Sequence, residues 1–258
     1  MILIGILAGF LSGLLGIGGG LLFVPLQYFL LQSVGVSNDI AILVSFGTSL
    51  AIIVPTSITS AYKHNKDLNG ILNHGIKLGC FGLIGGFFGG LMASYSSYQF
   101  LELFFAVILI IIAIYNLFHF KNSNNHTLKL NKLLIIIIGF FVGFLSGLLG
   151  IGGGIFLIII LNLFLHFSMR KSIGISSIFI AFTAIGGVSS YILTGLIVNV
   201  LPYSIGYINL VHFITICLFS IPFAYIGAKI SDISNEKVLK LIFTIIILFT
   251  SLKMMGVF

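Results

Sequence analysis

Charge is what this chain has least of. Only 7% of its 258 residues are charged, five of those are acidic, and 59% are hydrophobic. With a mean hydropathy of +1.26, the chain lacks the polar groups to cover a water-facing surface, so it reads as a membrane protein that crosses several times. Cysteine is also scarce. Cys80 and Cys217 both sit inside apolar stretches, which leaves neither a disulfide framework nor a zinc-type spacing. No carboxylate pair, nucleophile–base combination or metal-ligand cluster occurs in the apolar segments. Hydrolytic chemistry has nothing to work with, so neither catalytic residues, nor a metal, nor a cofactor is expected. The net charge of +7 does not point to nucleic acid, because Lys63, Lys66, Lys121, Lys129, Lys132, Arg170 and Lys171 lie in short connections between apolar spans. That is where charge sets membrane topology. Met1 leads straight into Ile-Leu-Ile-Gly without a charged n-region, so no cleaved signal peptide is expected.

What the chain does have is repetition. Gly9-Phe-Leu-Ser-Gly-Leu-Leu-Gly-Ile-Gly-Gly-Gly20 recurs letter for letter as Gly143 to Gly154. One module is used twice: repeat one over 1–120, a polar linker over 121–132 and repeat two over 133–258 form a single transmembrane domain. Apolar stretches run at 2–32, 40–61, 71–94, 99–120, 133–166, 172–195, 204–228 and 237–257. About 20 residues make one helical crossing. The first and fifth stretches are too long for that and carry the glycine clusters near their middles, so each is either a long broken helix or a hairpin. The connections around 33–39, 95–98 and 196–203 have no Lys or Arg, whereas 62–70, the linker, 167–171 and 229–237 are basic. All basic connections fall on one side only if stretches 1 and 5 enter and leave by the same face. The expected fold is therefore all-α, with two inverted-topology repeats. Each repeat is a glycine-broken re-entrant hairpin plus three transmembrane helices. The basic loops would face the cytoplasm, in the cell membrane.

A glycine break at membrane depth frees backbone groups that lipid cannot satisfy, and such breaks line cavities or sites. A half-helix ending near Gly16 and another starting near Gly19 would leave the amides of Gly18 to Leu21 as an anion cradle. The candidate ligands are thus Gly16, Gly18, Gly19 and Gly20 with Gly150, Gly152, Gly153 and Gly154. The nearby hydroxyls of Ser12, Ser146, Thr48, Ser49, Ser176 and Ser177 add uncharged donors. The plainer alternatives are a tight turn that admits a neighbouring helix, and hydroxyls that bond their own backbone. His74 and His212 hold matching places in the two repeats and are candidates for proton coupling; the alternative is two interfacial histidines. Small residues at Gly75/Gly79, Gly82/Gly86/Gly90 and Gly85/Gly89 read as helix-packing positions. Lys77 is expected to snorkel to headgroups, with Glu102 and Lys240 close to the interfaces. Gly16-Ile-Gly18 has no preceding soluble strand and is not a dinucleotide fingerprint.

Leu-Ser-Gly-Leu-Leu-Gly-Ile-Gly-Gly-Gly in both halves, Val24-Pro25 after the first copy, and Gly47-Thr-Ser-Leu50 opening the next helix resemble the TauE/SafE sulfite-exporter family over nearly the whole chain. The resemblance implies a carrier for small sulfur-containing or organic anions such as sulfite and sulfonates. Its partners would be that anion and the bilayer. Two departures stand out: Ile159 where the first copy has Pro25, and Ile175 where Thr48 would be matched. The half-sites are therefore expected to differ, with the first the better candidate. The resulting expectation is an exporter, not an enzyme, working by alternating access. The alternatives are a proton-coupled importer of such anions and a non-transporting membrane scaffold subunit.

Overall fold

The computed structural model describes residues 1–15, 20–64, 71–118, 131–167, 169–198, 200–231 and 236–256. In chain order the elements are α1 (Ile2–Leu15), α2 (Gly20–Ser33), α3 (Asn38–His64), α4 (Ile71–Ser94), α5 (Tyr98–Phe118), α6 (Lys132–Leu149), α7 (Gly154–Ile159) running into a π-helical turn (Ile160–Phe164), α8 (Met169–Gly195), the strands β1 (Ser204–Ile205) and β2 (Ile208–Asn209), α9 (Leu210–Ser231) and α10 (Glu236–Met254). This is an all-α membrane protein. Stretches within α3, α4, α6, α8 and α9 are long and apolar enough to cross a bilayer. Apolar side chains of these helices that are not buried in the bundle, such as Phe88, Phe141, Leu193 and Leu218, are suited to lipid.

Local sequence explains where the helices stop. After α2, Gly35 adopts a left-handed φ of 85°. The Val36 amide bonds the Leu31 carbonyl and the Gly35 amide bonds that of Gln32, the Schellman pattern that glycine makes at a helix C-terminus. The expected apolar stretch 204–228 is not helical throughout. Residues 204–209 form a two-stranded hairpin, with Ser204 opposite Asn209 and Ile205 opposite Ile208. The reason is Gly206, whose φ of 60° turns the chain where a helix would have continued it.

Close contacts at glycines fix the direction of each helix. Along α4, Leu78, Gly82 and Gly86 meet Gly139, Gly143 and Gly147 of α6 in that order. Gly75, Gly79, Gly86 and Gly90 likewise meet Ile178, Phe182, Thr183 and Ser190 of α8. Thus α4, α6 and α8 run the same way. α3 runs against α8, with Gly47 beside Tyr191 and Gly187 beside Leu50. α1 runs with α9, since Gly5 meets Ile216 and Phe219 while Gly9 meets Ser220.

These directions determine where the broken segments go. α6 and α8 start at the same end of the bundle, so the chain between them must come back on itself. Ile135 near the start of α6 accordingly shares a cluster with Leu165, Phe167 and Ile175. α1 and α9 start at the other end, where α3 also starts, so the segment made by α1 and α2 returns to that end. One contact pattern occurs twice. Gly139 faces the Leu78 carbonyl and Phe81 Cβ, and Gly5 faces the Ile216 carbonyl and Phe219 Cβ. Each partner in the second set lies 138 positions after its counterpart, the same shift that relates His74 to His212.

Candidate functional site

The second glycine cluster makes a sharp break between two helices. Gly150 closes α6 with φ 68° and ψ 17°, Gly152 has φ 86°, and Gly153 caps α7 at φ 76°. Three left-handed residues in four positions cost an ordinary L-residue about 1–2 kcal/mol each. The Gly153 carbonyl receives the Leu157 amide at 3.1 Å, which starts α7. The amides of that first turn have no intrahelical acceptor. Space is as restrictive as conformation, because a Cβ on Gly150 would sit 2.6 Å from Phe46 Cα.

The start of α2 meets the second glycine turn. Gly20, the first residue of α2, lies so close to Ile151 that an added Cβ would be 2.4 Å from its carbonyl oxygen. Ile53 of α3 and Ile180 of α8 both close on Gly152. Thr183 donates to the Gly152 carbonyl at 3.0 Å, and the Tyr191 hydroxyl donates to the Gly147 carbonyl at 3.0 Å. These two bonds hold the carbonyl side of the break, and among the described residues no side chain engages its amide side.

The hydroxyls divide into two groups. Ser146 is fully buried, packs on Gly153, and its oxygen has no hydrogen-bond partner. Ser49 is also fully buried and unpartnered. It lies between Phe46 and Ile53 on the α3 stripe that touches the glycine turn, since residues three and four apart share a helix face. Ser176 and Ser177 instead donate to the Ile173 carbonyl, each at 2.9 Å, so their protons are committed to their own helix. Thr48 faces away from the turns and accepts the Asn209 amide at 3.0 Å. Gly154 begins α7. Gly16, Gly18 and Gly19 lie outside the described residues, as does the side chain of Ser12, whose backbone belongs to α1.

His74 is the fourth residue of α4 and His212 the third of α9, so they stand near opposite ends of the bundle and form no shared site. The Nδ1 atoms of both lack a partner. The His74 ring meets the edge of Phe167 at 6.2 Å, and the His212 backbone amide bonds Asn209 Oδ1. Among the described residues no group of His, Cys, Asp or Glu is arranged to hold a metal.

Two residues escaped the sequence reading. Gln27, two turns beyond Gly20 on α2, is fully buried with neither amide atom partnered; an uncharged polar side chain inside an otherwise apolar helix was the available signal. Asn209 is 5% exposed and joins three elements. Its amide reaches Thr48, its Oδ1 caps α9, and its Nδ2 holds Pro202 and Ser204. Nothing in the sequence marked it, because the hairpin was read as helix.

A helical membrane bundle in which a glycine-broken segment meets the start of α2 beside the buried, unpartnered Ser49 and Ser146 has the architecture of a transporter. The comparisons agree. The profile described as "Sulfite exporter TauE/SafE" matches residues 1–254. A probable membrane transporter protein of Methanocaldococcus jannaschii is 32% identical over all of this chain and 93% of its own length. Another, of Haemophilus influenzae, is 34% identical over 81% of this chain and 79% of its own length. The probable membrane transporter protein YdhB of Bacillus subtilis is 30% identical over 93% of each. No solved structure matches the chain. The chain belongs to the TauE/SafE family: it is a multi-pass membrane transporter, not an enzyme and not a passive scaffold.

Proposed function

We propose that this transporter exports small sulfur-containing or organic anions, of the sulfite and sulfonate class, by alternating access around the paired glycine turns. The observation that carries the reading is the meeting of Gly20 with the Ile151 backbone beside the buried, unpartnered Ser146 hydroxyl. An unsatisfied buried polar group costs about 1–3 kcal/mol. A ligand that accepts hydrogen bonds removes that cost when it binds. An oxyanion fits such donors, and helix-start amides add up to about 2 kcal/mol for a partly buried anion. With no fixed cation among the described groups of the turn, the anion is held weakly enough to leave.

In this reading the halves, 1–120 and 133–258, are oppositely inserted copies, and the end where α4, α6, α8 and α10 begin is cytoplasmic. Lys132 and Lys171 lie in the first turns of α6 and α8 and Lys77 in the second turn of α4, in keeping with the positive-inside rule. An interior-negative potential of 100 mV favours outward movement by about 2.3 kcal/mol per negative charge, which supports export without a second driving ion. The test is flux of sulfite and small sulfonates from loaded proteoliposomes. Efflux above empty vesicles that rises with an interior-negative potential is expected. No flux of any small anion would remove the substrate assignment, and flux that needs a proton gradient would replace export by coupled uptake.

A further inference from the structure

Equivalent helix pairs in the two halves are packed very differently. α4 lies along α8 through Gly75, Gly79, Gly82, Gly86 and Gly90, with Gly82 against Phe179 and Thr183, and Gly86 against the Thr183 carbonyl. The same positions in the other half belong to α9 and α3: Gly82 corresponds to Ser220 and Gly86 to Ala224, while Phe179 and Thr183 correspond to Ile52 and Thr56. This second pair makes far fewer contacts. α3 also meets the hairpin that leads into α9, where the Asn209 backbone amide donates to Thr48 and Tyr207 abuts Gly47. Among the described residues Thr56 bonds carbonyls of its own helix, those of Ile52 and Ile53, whereas Thr183 reaches across to Gly152.

α9 is not simply loose. Its contact with α1 uses the positions that join α4 to α6: Gly5 meets Ile216 and Phe219 and Gly9 meets Ser220, as Gly139 meets Leu78 and Phe81 and Gly143 meets Gly82, so α1 and α9 pack as a pair. That unit has not closed on α3. Only 22% of the α9 span is buried, against 44% of the α4 span. The α9 line facing α3 also changes along its length, from Phe213 and Cys217 near the hairpin to Ser220 and Ala224 beyond. Small residues permit close helix approach in lipid, so α9 is shaped to close at the end where it now stands apart.

We propose that the α1–α9 pair is the moving gate, hinged on α3 at the β1–β2 hairpin. In this structure α9 contacts α3 far less than α4 contacts α8. In the opposite state Ser220 and Ala224 close on Ile52 and Thr56 as Gly82 and Gly86 now close on Phe179 and Thr183, and α4 parts from α8 at Gly86 and Gly90. The inference rests on the two-copy, alternating-access reading above and adds which helices move and where they pivot.

The test joins Thr56→Cys to Ala224→Cys in a Cys80→Ser, Cys217→Ser background, with a protease site inserted in the linker. After cleavage, a disulfide between α3 and α9 keeps the halves together on a non-reducing gel. The expected result is oxidative cross-linking in membranes, with anion flux falling to the empty-vesicle level and recovering on reduction. Both thiols reacting with a small maleimide while no cross-link forms would overturn the gate, as would cross-linked protein that transports normally. The gel reads helix approach whatever the substrate. A parent protein that moves none of the tested anions therefore counts against the substrate assignment and leaves the cross-link to judge the gate.

Discussion

Gly150, Gly152 and Gly153 hold φ values of 68°, 86° and 76°, and the sequence announced them through its repeated glycine string. Their effects should differ in degree. Gly152→Ala adds left-handed strain of about 1–2 kcal/mol with only side-chain tips of Ile180 and Ile53 to displace. Gly150→Ala adds the same strain plus a clash with the Phe46 backbone, so its thermal midpoint in detergent should fall further. Equal midpoints would mean that the turn tolerates a repositioned α3. The serines were legible only as a set. Whether a membrane hydroxyl turns to its own helix, as Ser176 and Ser177 do, or stays unpartnered, as Ser49 and Ser146 do, depends on depth and neighbours that spacing does not encode. Ser146→Ala provides a two-sided check. Removing an unpaired buried hydroxyl should leave stability unchanged or raise it, while losing a hydrogen bond to a charged ligand, worth about 1.5–3 kcal/mol, should weaken anion binding about tenfold or more. A large loss of stability with unchanged binding would make Ser146 a structural residue.

At the scale of elements, the long helices and the break at residues 150–153 were readable, because twenty apolar residues and a glycine cluster each have one physical consequence in lipid. The hairpin was not. Residues 204–209 are short and apolar enough to pass for the start of α9, and their strand pairing depends on Gly206 packing against Ile192 of α8, a contact remote in sequence. The packing glycines of α4 were legible as a type, although their two faces, one toward α6 and one toward α8, were not. The difference between equivalent helices yields a stability prediction. Gly86→Ala puts a Cβ 2.5 Å from the Thr183 carbonyl, a backbone atom that cannot swing aside, so helix α4 must move off α8. The reciprocal Ala224→Gly on α9 loses only helix propensity, about 1 kcal/mol. The midpoint of thermal unfolding should drop much further for Gly86→Ala. Equal drops would show α9 to be packed as α4 is.

For the whole molecule, the charge of the connections and the direction of the helices are independent observations that agree. Basic connections were expected on one side only if the first and fifth stretches turn back. Contacts at glycines, which owe nothing to charge, bring the starts of α4, α6 and α8 to one end and those of α1, α3 and α9 to the other. In the proposed orientation the basic connections stay in the cytoplasm, and two exposed positions test it. Asn131 precedes α6 at the cationic end, and Ser97 lies between α4 and α5 at the other. In the Cys80→Ser, Cys217→Ser background, Ser97→Cys should react with a membrane-impermeant maleimide on intact cells. Asn131→Cys should react only after permeabilisation. The reverse pattern would turn the protein over and reverse the sign of the potential's effect on an anion leaving by the same path. Identical labelling of both would mean that the chain enters and leaves the bilayer differently from the helix directions described, and would count against the proposed opposite insertion of the two halves.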